Sequence, residues 1–358
     1  MIVEKKYISE IKDFEECKEL WNELEKGCEM TVYQSFEWNY LLVQEQLNLF
    51  MSKFFSEIII YFVWDEERHI KAILPLIYQR IGNITKWFGR KKGIYILGHG
   101  SYSDYLNAIY GEVDEEILEL LINTIKVDFG HMMVHFTDLI EGTMFEKCLD
   151  SIGIEKQKSD ISVAIKRSES AEEYTKNLSK HVRQNLRTSL NRMKKDGVEY
   201  RYQIIWGNIE DIGLLNELRE LHIMRMSEKN SDKTDIIHRI SSSIRIHYRK
   251  NKERNNNIVY ESMKSMKNSV FVIVYLNDQI SGYLYGLKEN KVIRIMQNCF
   301  NSEYKFYSPM FRGAYDFIVS MYENEDIDSI DFTRGEETYK YQLSGEATIL
   351  KNYKGIIL

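Results

Sequence analysis

Asp331, Arg334, Glu336, Tyr339 and Lys340 crowd five groups able to bind anions or move protons into ten residues. The stretch opens with Ile327, Ile330 and Phe332 set among aspartates, which reads as a short strand over 327–332. Thr333-Arg334-Gly335 then halts it, because Gly335 can take a backbone conformation that side chains resist. A helix-like piece follows from Glu336 to Leu343. Ligands of α/β sheets gather beyond the ends of strands, although a charged surface turn fits the same letters. Glu336 or Asp331 is a candidate base, and Arg334 and Lys340 are candidate anion ligands; an ion pair such as Arg334 with Glu336 competes with each role.

The elements that must position these groups are legible around them. Residues 269–276, 279–287 and 291–300 alternate as strands, with Asn277-Asp278 and Glu289-Asn290 as turns. Tyr307-Ser308-Pro309 opens a helix over 309–322, with Ser308 suited to the cap and Pro309 to the first helical position. A last strand falls near 346–353. Upstream, Glu169 to Lys195 reads as one long helix whose Lys180, Arg183, Arg187 and Lys194 share a side, either a solvated basic face or a phosphate clamp. Residues 198–205 read as a strand, 210–227 as a helix carrying His222 and Arg225, and 234–267 as mostly helical.

The first half has the same order. A strand at 2–8 precedes helical spacing through Phe14 and Leu24, and Ser35 caps a second helix. A hairpin over 56–64 and 69–79, a strand at 94–97, a helix at 113–127, a strand at 131–139, a short helix at 143–152 and a strand at 154–165 follow. Gly98-His-Gly-Ser-Tyr-Ser-Asp-Tyr leaves a strand end but matches no phosphate-loop fingerprint, so it reads as a plain connection with His99 a satisfied loop histidine.

The 358 residues suffice for two domains, predicted as 1–165 and 166–358, and 44% hydrophobic residues supply their cores. The net charge of −6 disfavours a nucleic-acid partner recruited by overall charge. Four scattered cysteines and His222, His238 and His247 give no metal-ligand spacing. A charged first stretch, Met1 to Tyr7, and the lack of a long apolar run point to a cytoplasmic protein without a membrane span.

Asp-Phe-x-Arg-Gly-x-Glu-x-Tyr-Lys over 331–340 resembles the C-terminal signature of the CelD-like acetyltransferases, a branch of the GNAT superfamily, whose two-domain layout is similar to that of Fem-type peptidoglycan aminoacyltransferases. Leu178 to Thr188 and Tyr33-Gln-Ser-Phe-Glu-Trp resemble the same family. The resemblance implies an α/β fold of two tandem GNAT-like domains with mixed sheets, the second holding acyl-CoA. It implies an acyl-CoA-dependent N-acyltransferase, acetyl-CoA being the leading donor and an amino sugar of cell-surface polysaccharide synthesis the leading acceptor. Tyr339 would protonate the leaving thiolate. Gln297, Asn298, Lys305, Ser308, Met310 and Lys340 would line the CoA site, although the usual glycine-rich phosphate loop is replaced by residues 302–309. Asp104, Tyr105, Arg183, His222, Arg225 and Arg334 fall on the acceptor side. A Fem-type aminoacyl-tRNA-dependent ligase and an inactive GNAT-fold binding module are the rival readings.

Overall fold

A computed structural model describes residues 1–28, 30–48, 52–80, 92–100, 103–112, 115–151, 154–231 and 258–356. The chain divides into two compact units, Met1–Ile161 with Thr348–Leu358, and Ser162–Ala347. The sequence reading gave the whole C-terminus to the second domain. The last strand instead pairs antiparallel with a strand of the first unit, Leu350 opposite Ile140 and Ile356 opposite Met133.

The first unit runs β1 (Ile2–Ile8), α1 (Ile11–Glu15), α2 (Lys18–Glu25), α3 (Phe36–Asn48), α4 (Ser52–Phe55), β2 (Ser56–Trp64), β3 (Ile70–Gln79), β4 (Gly93–Ile96), β5 (Ile109–Tyr110), α5 (Glu115–Phe129), β6 (Met133–Ile140), α6 (Met144–Ser151) and the start of β7 (Lys156–Lys166). As expected, Ser35 caps α3, its hydroxyl accepting from the Trp38 amide at 3.2 Å. The sheet order is β1-β2-β3-β4-β6-β13, with β5 beside β3, where β13 is Glu346–Ile356. Every pair is antiparallel except β4 with β6.

The second unit holds the end of β7, α7 (Ala171–Asn177), α8 (Lys180–Lys195), β8 (Tyr200–Trp206), α9 (Ile212–Ser231), α10 (Ile258–Ser265), β9 (Ser269–Leu276), β10 (Gln279–Glu289), β11 (Val292–Phe300), α11 (Pro309–Ser320), β12 (Ser329–Arg334) and α12 (Thr338–Gln342). Its sheet runs β7-β12-β11-β10-β9-β8, again with one parallel pair, β11 with β12. Most of the helical expectation over 234–267, with His238 and His247, lies outside the described residues.

The single helix expected over 169–195 is two. The chain breaks at extended Leu178, and Ser179 starts α8 afresh by accepting from the Val182 amide at 3.3 Å. Val182 and Leu186 of α8 enter a core with Ile293, Ile330, Phe332 and Phe317. From the same helix, the Ser189 hydroxyl donates to the Tyr307 carbonyl, and Arg192 donates to the Phe306 carbonyl at 3.0 Å while lying 4.5 Å over its ring. Thus α8 anchors the turn that leads into α11. Gly282 lets α11 press onto β10, since a Cβ there would sit 2.5 Å from the Met310 sulfur.

Candidate functional site at the ends of β11 and β12

Strand β11 is longer than its parallel pairing. It meets β12 at Val292↔Ser329, Ile293↔Ile330 and Arg294↔Asp331, and there the register stops. Beyond that point β11 continues to Phe300 with β10 as its partner, Gly282 opposite Phe300. A bulge accompanies the parting: Tyr285 faces Gln297 and Gly286 faces Ile295, so Met296 has no opposite number on β10. The bulge also resets the faces. Ile293 and Ile295 point into the core shared with α8 and α11, whereas Gln297 lies opposite Tyr285 and Asn298 opposite Leu284.

Strand β12 turns away for a local reason. Thr333 has φ +53°, a conformation rare for a β-branched residue and worth about 1–3 kcal/mol of strain. Three bonds hold it there. Its N–H donates to Asp331 Oδ1 at 2.7 Å, its hydroxyl to the Ile295 carbonyl at 2.9 Å, and its carbonyl accepts from Lys340 Nζ at 3.1 Å. Gly335 follows at φ +118°, as the sequence required.

Lys340 corrects the sequence reading. Expected against the cofactor, it is 2% exposed and donates to the carbonyls of Thr333, Arg334 and Gly335, each at 3.1 Å, with Glu337 at 2.9 Å. An ammonium has three protons, and the turn takes them. Asp331 is likewise engaged: Arg294, clamped also by Glu289, donates to its Oδ2, and the Thr333 amide occupies Oδ1. Glu336 and Arg334 are exposed.

Tyr339 projects from α12 toward β11. It packs edge-on against Phe332 with ring centroids 5.7 Å apart. Burial pushes its hydroxyl up to about 12, against the opposing effect of a hydrogen bond with Asn298. That bond joins the two sides of the parted strands. On the other face, Gln297 Oε1 accepts from the Tyr283 hydroxyl at 2.8 Å, and its amide nitrogen lies 3.5 Å from His222 Nε2 on α9. Arg219, His222, Tyr260, Tyr283 and Gln297 border a pocket there.

The remaining candidates scatter. Met310 is buried in the core against Gly282, so its side chain is not cofactor-facing. Ser308 precedes Pro309 at φ +50°, and its hydroxyl makes no capping bond, contrary to expectation. Lys305 is exposed in the 3-10 turn Ser302–Tyr307. Arg225 lies 4.3 Å over the Phe300 ring and pairs at 3.0 Å with Glu228. The Ser302 hydroxyl, donating at 2.6 Å, and Arg225 hold the Glu228 carboxyl below its usual range. Arg183 donates to the Lys176 carbonyl, tying α8 to α7. Asp104 and Tyr105 are buried in the first unit, where the Tyr105 carbonyl accepts from Gln34 at 2.6 Å. Among the described residues no group of three or more metal-ligating side chains converges, and no helix is long and apolar enough to cross a membrane.

In the second unit, then, the one parallel pair ends beside a bulge, and Tyr339 bonds to Asn298 on the free end of β11. Residues 180–341 match the family model of the acetyltransferase (GNAT) domain. The fold is shared with a conserved protein of unknown function from Bacteroides thetaiotaomicron VPI-5482 (12% identity, 99% of this chain and 100% of that one, TM-score 0.53). It is shared also with L-PGS from Bacillus licheniformis (9% identity, 94% and 91%, TM-score 0.54). No curated protein sequence matches. The fold is therefore the expected α/β arrangement with mixed sheets, and residues 180–341 of the second unit are similar to a GNAT acetyltransferase domain.

Proposed function

We propose that the chain is an acyl-CoA-dependent N-acyltransferase whose thioester enters between β11 and β12 of the second unit. The observation that carries this is the register: pairing ends at Arg294 and Asp331 while β11 runs on to Phe300. Backbone groups of two parted strands can hydrogen-bond an extended chain laid between them, and the pantetheine arm is such a chain. Acyl-CoA supplies the acyl group already activated as a thioester.

This chain's residues divide the remaining work between the faces of β11. Tyr339 keeps its proton at neutral pH and is aimed at the gap by Asn298, which suits it to protonate a departing thiolate. His222 and Gln297 face the opposite side, where an amine would approach. The α11 start, with Pro309 first and the Met310 and Phe311 amides behind it, offers donors and a positive helix end to a phosphate, with Lys305 in the preceding turn. The likeness of 331–340 to CelD-like acetyltransferases favours an amino sugar acceptor.

Titration of the full chain with CoA and acetyl-CoA tests this directly. We expect micromolar binding of both, lost when Asn298→Trp fills the gap. No binding by the wild-type chain refutes the proposal.

A further inference from the structure

Helix α8 carries more charge of one sign than its anchoring of the α11 turn requires. Its 16 residues include Lys180, Arg183, Arg187, Arg192, Lys194 and Lys195 and no aspartate or glutamate, in a chain whose net charge is −6. A solvated helix ordinarily mixes the two signs, because like charges three or four residues apart repel. Here Lys180 and Arg183 stand three apart, and Arg183 and Arg187 four. Among the described residues, none of these cations forms an ion pair.

The geometry gathers the charge onto one surface. Val182, Leu186, Ser189 and Met193 are buried and make a single stripe along the helix. At about 100° per residue, Lys180, Arg187, Lys194 and Lys195 stand opposite that stripe, and all four are exposed. The outer side of α8 is therefore a convex cationic ridge about 24 Å long. On its flank the Arg192 guanidinium lies 4.5 Å over the Phe306 ring. That ring is 55% exposed, and it follows Lys305, which is exposed as well. The Tyr307 ring meets Phe306 edge-on at 5.3 Å, and its hydroxyl donates at 3.0 Å to Asp196, the first acid after the ridge. An apolar ring is thus fixed at the edge of the cationic surface, where water gains nothing from it.

We infer that α8 docks the protein on an anionic lipid bilayer, with the ridge cations among the headgroup phosphates and Phe306 entering the interface beside them. Each lysine or arginine held near a negatively charged leaflet adds its own increment of attraction, and an aromatic ring is favoured at headgroup depth. A negatively charged plane complements a convex ridge. Single-stranded nucleic acid is instead held in grooves lined by several stacking rings, and α8 offers one ring, at its edge. The inference does not depend on the acyltransferase reading.

Co-sedimentation of the full chain with vesicles of equal parts phosphatidylglycerol and phosphatidylcholine, against vesicles of phosphatidylcholine alone, tests it. We expect binding to the anionic vesicles only, weakening at least about tenfold between about 0.05 M and about 0.5 M NaCl as the screening length shortens. Arg187→Gln, Lys194→Gln and Lys195→Gln together should weaken it roughly a hundredfold, at about fivefold for each cation. Phe306→Ser should weaken it roughly fivefold. Thermal melts establish that both variants fold, and the wild-type dependence on lipid charge and salt needs neither of them. No binding to the anionic vesicles, equal binding to the two lipids, or unchanged binding by either folded variant overturns the inference. Retention of a single-stranded RNA oligomer where the vesicles are not retained would overturn it too, and would mark α8 as a nucleic-acid surface.

Discussion

Lys340→Met separates two meanings of one buried charge. In the wild-type protein the ammonium is 2% exposed and gathers the carbonyls of Thr333, Arg334 and Gly335 at 3.1 Å each. Methionine keeps the length and apolar stem and removes the donors. The Thr333 carbonyl is buried and loses a charge-assisted bond it cannot replace, about 1–3 kcal/mol. The other two are partly buried and recover water contacts, so each loses about 0.5–1 kcal/mol. Glu337, 58% exposed, rehydrates. Relief of the buried charge offsets part of the sum, leaving about 2–4 kcal/mol. In a unit of this size that lowers Tm by roughly 5–15 °C. Scanning calorimetry of wild type and variant, with CoA titration alongside, is the assay. Unchanged Tm with abolished CoA binding would show that Lys340 is a phosphate ligand and that the turn does not need it.

Two other perturbations probe the site and the first unit. Tyr339→Phe removes the proton donor but keeps the ring against Phe332, so release of CoA thiol with glucosamine as acceptor should fall roughly a hundredfold while CoA affinity holds; equal rates would exclude the acid role. Because the wild-type hydroxyl is pushed up to about 12, its activity should show no alkaline fall from this group below about pH 11. Glu25 accepts from the Phe36 amide, and burial raises its carboxyl from 4.5 to about 7. A raised carboxyl favours folding fully below its ordinary range and loses that contribution as pH rises through the folded value. Glu25→Gln should therefore match wild type in urea unfolding at pH 5 and exceed it by about 1–2 kcal/mol at pH 8; the reverse order would contradict the burial.

Alternation and turn letters made the strands around the site readable, because β9, β10 and β11 are long and carry their own turns, Asn277-Asp278 and Glu289-Asn290. Gly335 was readable for the same reason. The parting of β11 and β12 was not, since it depends on Thr333 at positive φ, and threonine is a residue that ordinarily avoids it. Lys340 looked like an anion ligand because its neighbours in the chain are charged; its burial comes from three backbone carbonyls that fold back over it, which no letter records. The break at Leu178 hid because residues on both sides keep one helical period, and only Ser179 marks a new start. His99 was read as a satisfied loop histidine, and the partner at 2.9 Å, Thr137, lies nearly forty residues away, where no loop letter could name it.

The first unit closes late. Leu350 and Tyr353 are wholly buried in it, and the Tyr353 hydroxyl reaches Glu146 and Asp150 of α6. On a ribosome, β6 must wait for its outer neighbour until the whole of Ser162–Ala347 has been made. The intervening unit is contiguous and can settle first, so synthesis order and folding order run opposite ways. A stop codon just upstream of β13 would spare the later-encoded unit and leave the earlier-encoded one open along β6.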